Sequence, residues 1–98
     1  MAVKILIKRA VPDEKSKELS MLLRQLRMLT MSREGYISGE TLRNLDDPEE
    51  FIVISNWQSS NDWSRWLKSA ERQEIQGRID TLLGGHTHYA LYHYGFTE

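Results

Sequence analysis

The chain has no cysteine, which removes disulfides, thiol nucleophiles and thiolate metal sites together. Any redox chemistry must then come from the substrate, a cofactor or another side chain. No apolar run approaches the roughly 20 residues that span a bilayer, and the opening Met1-Ala2-Val3-Lys4-Ile5 lacks the apolar core and cleavage site of a signal peptide. A cytoplasmic location without a membrane partner is expected. An excess of one charge is missing too. The 13 Lys and Arg are interspersed among 14 Asp and Glu, leaving a formal charge of −1, so no basic run attracts nucleic acid. Neither Gly-x-Ser-x-Gly nor His-Glu-x-x-His occurs, and Gly84-Gly85-His86 is too short and isolated for a phosphate loop.

What is present fits one domain. Ninety-eight residues, 40% hydrophobic and 28% charged, suit a single globular unit over 1–98, without linker, internal repeat or disordered tail. Val3, Ile5 and Ile7 alternate with Lys4, Leu6 and Lys8, the period of a strand, and Pro12-Asp13 stops it. Leu19, Leu22, Leu23, Leu26 and Leu29 follow at helical steps up to about Met31. After Glu34-Gly35, Tyr36 to Leu42 and Phe51 to Trp57 read as a hairpin around Asn44-Leu45-Asp46-Asp47-Pro48.

Ser59 or Ser60 then caps a short helical piece with Trp63, Trp66 and Leu67. A second piece carries Ile75, Ile79, Leu82 and Leu83 and closes at Gly84-Gly85. Thr87 to Tyr94 reads as a last strand. The order βαββαβ predicts an α+β, ferredoxin-like fold, a four-stranded antiparallel sheet with helices on one face. The strands are apolar on both sides: Leu6 lies opposite the Val3, Ile5 and Ile7 stripe, and Phe51-Ile52-Val53-Ile54 has no polar side. Each such side chain left in water forfeits about 1.5–3 kcal/mol. A second copy of the sheet, packed face to face, is the expected cover, making the protein a homodimer.

Several residues are candidates for chemistry. Trp57, Trp63 and Trp66 gather three indoles near one end of the sheet, where a flat aromatic molecule stacks; the competing role is plugging the helix–sheet interface. His86 and His88 share a face of the last strand and His93 takes the other. With no acidic or third His partner nearby in sequence they read as a strand end, not a metal site, while His88 or His93 remains available as a base. Tyr89, Tyr92 and Tyr94 form strand first and hydrogen-bond a substrate second. Arg65 is placed to hold an anionic oxygen, against the usual fate of an exposed helix Arg.

The segments Gly35-Tyr36-Ile37-Ser38-Gly39-Glu40-Thr41-Leu42, Asp46-Asp47-Pro48-Glu49-Glu50-Phe51-Ile52-Val53-Ile54, Trp57-Gln58-Ser59 and Trp66-Leu67-Lys68-Ser69 resemble the antibiotic biosynthesis monooxygenase (ABM) family. That resemblance implies a dimeric α/β barrel with a pocket between sheet and helices in each subunit. It also implies kinship with cofactor-free oxygenases of polycyclic aromatics and with haem-degrading enzymes. Glu40 matches an acidic position of the family pattern, and Trp66 points to the pocket. Ser55 stands where many relatives carry Glu, and Trp66 where many carry His, so their proton-transfer pair is missing. Arg72-Gln73-Glu74-Ile75-Gln76-Gly77 offers no axial His for haem, and Ile7-Lys8-Arg9 no Asn.

The resulting expectation is a cofactor-independent monooxygenase acting on a small aromatic quinol or polyphenol with O2. Trp66 lines its pocket, His88 or Glu40 acts as base, and Asn56, Trp63, Arg65 and Tyr92 hold the substrate, with no metal. The alternatives are a haem-binding or haem-degrading relative and a non-catalytic dimeric binding protein.

Overall fold

The computed structural model describes residues 2–85 and 87–94. Strand β1 (Val3–Ala10) leads through one 3-10 turn (Asp13–Lys15) into helix α1 (Ser16–Met31). The hairpin β2 (Tyr36–Arg43) and β3 (Glu50–Trp57) follows, then α2 (Ser60–Lys68), α3 (Ala70–Leu83) and β4 (His88–His93). The sheet order is β2-β3-β1-β4, and every pairing is antiparallel. This is the ferredoxin-like α+β arrangement read from the sequence, with the second helix broken into two.

The hairpin turns because the Asn44 side-chain oxygen accepts the backbone N–H groups of Asp46 (2.7 Å) and Asp47 (3.2 Å), an Asx turn. Ser59 caps α2 by accepting from the N–H of Asp62 at 3.1 Å. Ser69 ends α2 and starts α3, its hydroxyl accepting from Arg72 N–H at 3.2 Å. Gly84 closes α3 in the left-handed conformation that glycine adopts without a Cβ penalty. Gly35 has φ +85, and a Cβ there would collide with the Asp62 side chain.

Strand register sorts the side chains onto two faces. Val3, Ile5, Ile7 and Arg9 of β1 pair with Trp57, Ser55, Val53 and Phe51 of β3, and the four β1 residues are all buried under the helices. Trp57 is fully buried, donates its indole N–H to Ser55 Oγ at 2.8 Å, and meets Tyr36 and Trp63 edge-on at 5.4 and 5.8 Å. It plugs the interface, the packing role weighed for it in the sequence. Lys4, Leu6, Lys8, Ile52, Ile54 and Asn56 take the opposite face by the two-residue pleat, and no element among the described residues covers it.

Strand β2 changes phase partway. Tyr36 pairs with Trp57, whereas Ser38 pairs with Asn56, so one extra residue enters between them as a β-bulge. Beyond the bulge Gly39, Thr41 and Arg43 sit opposite Ser55, Val53 and Phe51 on the helix side, while Ser38, Glu40 and Leu42 turn to the open face.

Candidate functional site

A cavity of about 490 Å³ lies between the sheet and helix α1, within the size range of small-molecule sites. Ile7, Val53 and Phe51 line its sheet side, Leu19, Leu23 and Leu26 its α1 side, and Trp63 and Trp66 of α2 close one end. Both indoles are buried. The helical spacing of Trp63 and Trp66 puts them on the inward face of α2, and the Ser59 cap fixes where that face begins. Outside, Arg33 lies 4.6 Å from the Trp66 ring and is held by Glu71 at 2.6 Å, shielding the indole from solvent.

Two buried arginines belong to the same wall. Arg9 is 3% exposed and Arg72 1%. Arg9 donates from Nη2 to Gln76 Oε1 at 3.0 Å, and Arg72 from Nη2 to the Tyr89 hydroxyl at 3.0 Å. The Arg72 guanidinium lies 5.3 Å from the rings of both Trp63 and Tyr89, so aromatic faces carry part of the burden of its charge. Among the described residues neither arginine has a carboxylate within ion-pair distance. Burial lowers the Arg9 pKa to about 10. Tyr89 and Asp80 oppose that shift and the Arg72 charge adds to it, but Arg9 stays protonated at neutral pH.

The structure gathers Trp63, Trp66 and Glu40 at this cavity, and it does not bring the other sequence candidates there. Glu40 belongs to the β2 wall, but its pairing with Ile54 turns its exposed carboxylate to the open face. Asn56 is also on that face, bonded to Lys4 Nζ (2.8 Å) and Ser38 Oγ (3.0 Å). His88 pairs with Lys8 and Tyr92 with Lys4; both are exposed on the open face. Arg65 is exposed on α2 and tied to Asp62. His93 pairs with Val3 at the sheet's β4 edge, and His86 lies outside the described residues. No cluster of three or more metal-binding side chains occurs among the described residues.

Sequence reasoning missed Arg9 and Arg72, though a signal existed for each. Arg9 continues the odd-numbered phase of Val3, Ile5 and Ile7, and Arg72 precedes Ile75, Gln76 and Ile79 by three, four and seven residues on the buried stripe of α3.

The model of the antibiotic biosynthesis monooxygenase family matches residues 2–78, most of the chain. No curated protein matches. Among solved structures, a conserved protein from Methanosarcina mazei Go1 is 24% identical with a TM-score of 0.85, covering 94% of this chain and 91% of its own. A mutant of SnoaB, a cofactor-independent oxygenase from Streptomyces nogalater, is 14% identical with a TM-score of 0.84, covering 98% and 95%. Rv0793 from Mycobacterium tuberculosis is 13% identical with a TM-score of 0.84, covering 99% and 98%. These likenesses agree on the fold. The chain belongs to the antibiotic biosynthesis monooxygenase family.

Proposed function

We propose that this family member is a monooxygenase needing no cofactor, which oxidises a small aromatic quinol or anthrone-like substrate in the cavity beneath α1. The observation that carries the reading is the cavity itself: apolar sheet and α1 walls, two inward indoles at one end, and buried hydrogen-bond donors beside them. A flat ring stacks against Trp66, with Trp63 at its edge.

The chemistry asks little of the protein. The substrate ionises to an electron-rich anion and passes one electron to O2. The two radicals combine at the ring carbon, and loss of water leaves a carbonyl. One oxygen atom enters the product and the other leaves as water, with all electrons supplied by the substrate: in an anthrone a ring CH2 becomes C=O, and in a quinol a ring C–H becomes the C–OH of a hydroxyquinone. The chain's tasks are to orient the ring, favour its anion and exclude bulk water.

The open face supports the homodimer in the same reading. Leu6 and Ile54 pair across β1 and β3, Ile52 neighbours them, and all three are half-exposed. Leu42 (48%) and Tyr92 (55%) extend the patch towards both sheet edges. A second sheet laid on this row closes a barrel.

Oxygen uptake over a panel of anthrones and hydroquinones tests the activity, with Trp66→Ala as control. The expected result is uptake above the uncatalysed rate that falls at least tenfold in the variant; uptake indifferent to Trp66 removes the cavity as the site. A second reading, a dimeric binding protein without turnover, draws on the outward Glu40 and His88, which leave no carboxylate or imidazole base facing the cavity among the described residues. It predicts aromatic binding without oxygen consumption.

A further inference from the structure

Four buried side-chain polar atoms have no hydrogen-bond partner among the described residues: Arg9 Nε, Trp63 Nε1, Arg72 Nε and Arg72 Nη1. All four are N–H donors, and all belong to residues lining the cavity beneath α1, Arg72 also bordering a smaller one with Gln76, Asp80 and Tyr89. Buried donors are normally satisfied, and a buried cation without a counter-charge is costly. Two buried cations on one wall, neither with a carboxylate in ion-pair range among the described residues and with Asp80 acting on Arg9 only from beyond that range, describe a place prepared for negative charge.

The rest of the lining has the same sign. Arg24, Arg27 and Arg43 also border the cavity and are exposed. Five arginines therefore line it against one acidic residue, Glu40, whose carboxylate faces the other side of the sheet. A chain with a net charge of −1 has placed 5 of its 13 basic residues around a single cleft. Such a local field concentrates anions.

We infer that Arg9, Arg72 and the Trp63 indole N–H form an oxyanion subsite on the buried wall of the cavity, taking the carboxylate of an aromatic acid whose ring stacks near Trp66. Guanidinium donors suit planar oxyanions through charge-assisted bonds, and the apolar walls accept the ring. The inference rests on the proposed aromatic cavity and adds a fixed negative group, ionised independently of the reacting ring. The exposed arginines draw the anion in, and the buried pair fixes its orientation.

Binding is measured by tryptophan fluorescence and calorimetry with 2-naphthoate, its neutral counterpart 2-naphthamide, 2-naphthyl phosphate and octanoate. The subsite predicts naphthoate at least tenfold tighter than naphthamide, a gap that collapses in both Arg72→Gln and Arg9→Gln. Arg24→Gln, at an exposed position, keeps the gap but weakens the salt dependence. Using two buried positions separates a lost contact from a folding defect, since thermal melts report each variant's integrity. Naphthyl phosphate tighter than naphthoate upholds the oxyanion subsite and changes the head group it prefers.

Equal affinities for naphthoate and naphthamide overturn the subsite while leaving the aromatic cavity standing. Octanoate binding as tightly as naphthoate upholds the subsite and removes the aromatic reading. Failure of every probe to bind at millimolar concentration overturns the inference, and oxygen uptake still judges the proposed activity.

Discussion

The same strands present two faces with opposite irregularities. Under the helices the setting is largely apolar and the charged exceptions are two cations, Arg9 on β1 and Arg72 on α3, buried without a carboxylate in ion-pair range among the described residues. On the open side Lys4, Lys8, Glu40 and Asn56 surround the apolar residues Leu6, Ile52 and Ile54, which are left half-exposed. Each face lacks something different. The covered face lacks a small negative group, and the open face lacks a broad apolar cover. In the proposed reading a ligand answers the first and a second copy of the sheet the second, so ligand binding and assembly are expected to be separable by mutation.

The sharpest contrast comes from Trp57. Trp57→Ala opens a cavity in the covered face and strands the Ser55 hydroxyl, costing about 3–5 kcal/mol, read as a lowered urea midpoint. Ile54→Asp, three residues earlier on the same strand but on the open face, is expected to spare the secondary structure and weaken self-association at least a hundredfold, about 3 kcal/mol. Sedimentation velocity checks this. A variant that unfolds instead of dissociating would break the division between the faces.

Arg9→Met tests the cost of the buried charge. Replacing a desolvated cation by an apolar side chain of similar length is expected to raise stability by about 1–3 kcal/mol while weakening naphthoate binding. The pH dependence follows from the lowered pKa. With the folded-state value about 10, below the unfolded one, both states hold the proton beneath pH 10 and the penalty is present in full. Above pH 10 the folded state releases its proton first, so the penalty fades as pH rises. The gain from Arg9→Met is therefore constant at neutral pH and shrinks above pH 10, as denaturant titrations would show.

The smallest expected effect is at the helix junction. Ser69→Ala removes the hydroxyl that caps α3 and donates back to Trp66 O at 2.8 Å, costing about 1 kcal/mol. Because Ser69 follows the Trp63–Trp66 face, the loss is expected to loosen probe binding slightly as well. Thermal melting and fluorescence titration measure the two effects in one sample.

Element order and most boundaries were legible because the period of two is strong in β1 and that of 3.6 in α1, because β3 is an unbroken run of apolar residues rich in β-branching, and because Ser59 and Gly84 mark helix ends. Trp63 and Trp66 were legible as inward-facing for the same reason. Glu40 was misleading: from Tyr36 an unbroken pleat carries every even residue inward, and only the bulge before Ser38 sends Glu40 out. A bulge depends on cross-strand register, which a single sequence does not display. His88 and Tyr92 fall on the open face because β4 pairs with β1 so that Tyr89 reaches Arg72, again a matter of register. Arg9 and Arg72 were in phase with core positions, but an arginine is ordinarily exposed. Only the burial of both beside one cavity motivates the common role proposed for them.

A crystal structure of the protein with 2-naphthoate bound tests the account most directly. The account predicts the naphthalene ring between Trp66 and α1, with its carboxylate within hydrogen-bond distance of Arg9 and Arg72. A ligand seated on the open face, or lying in the cavity with its carboxylate turned away from both arginines, would contradict it.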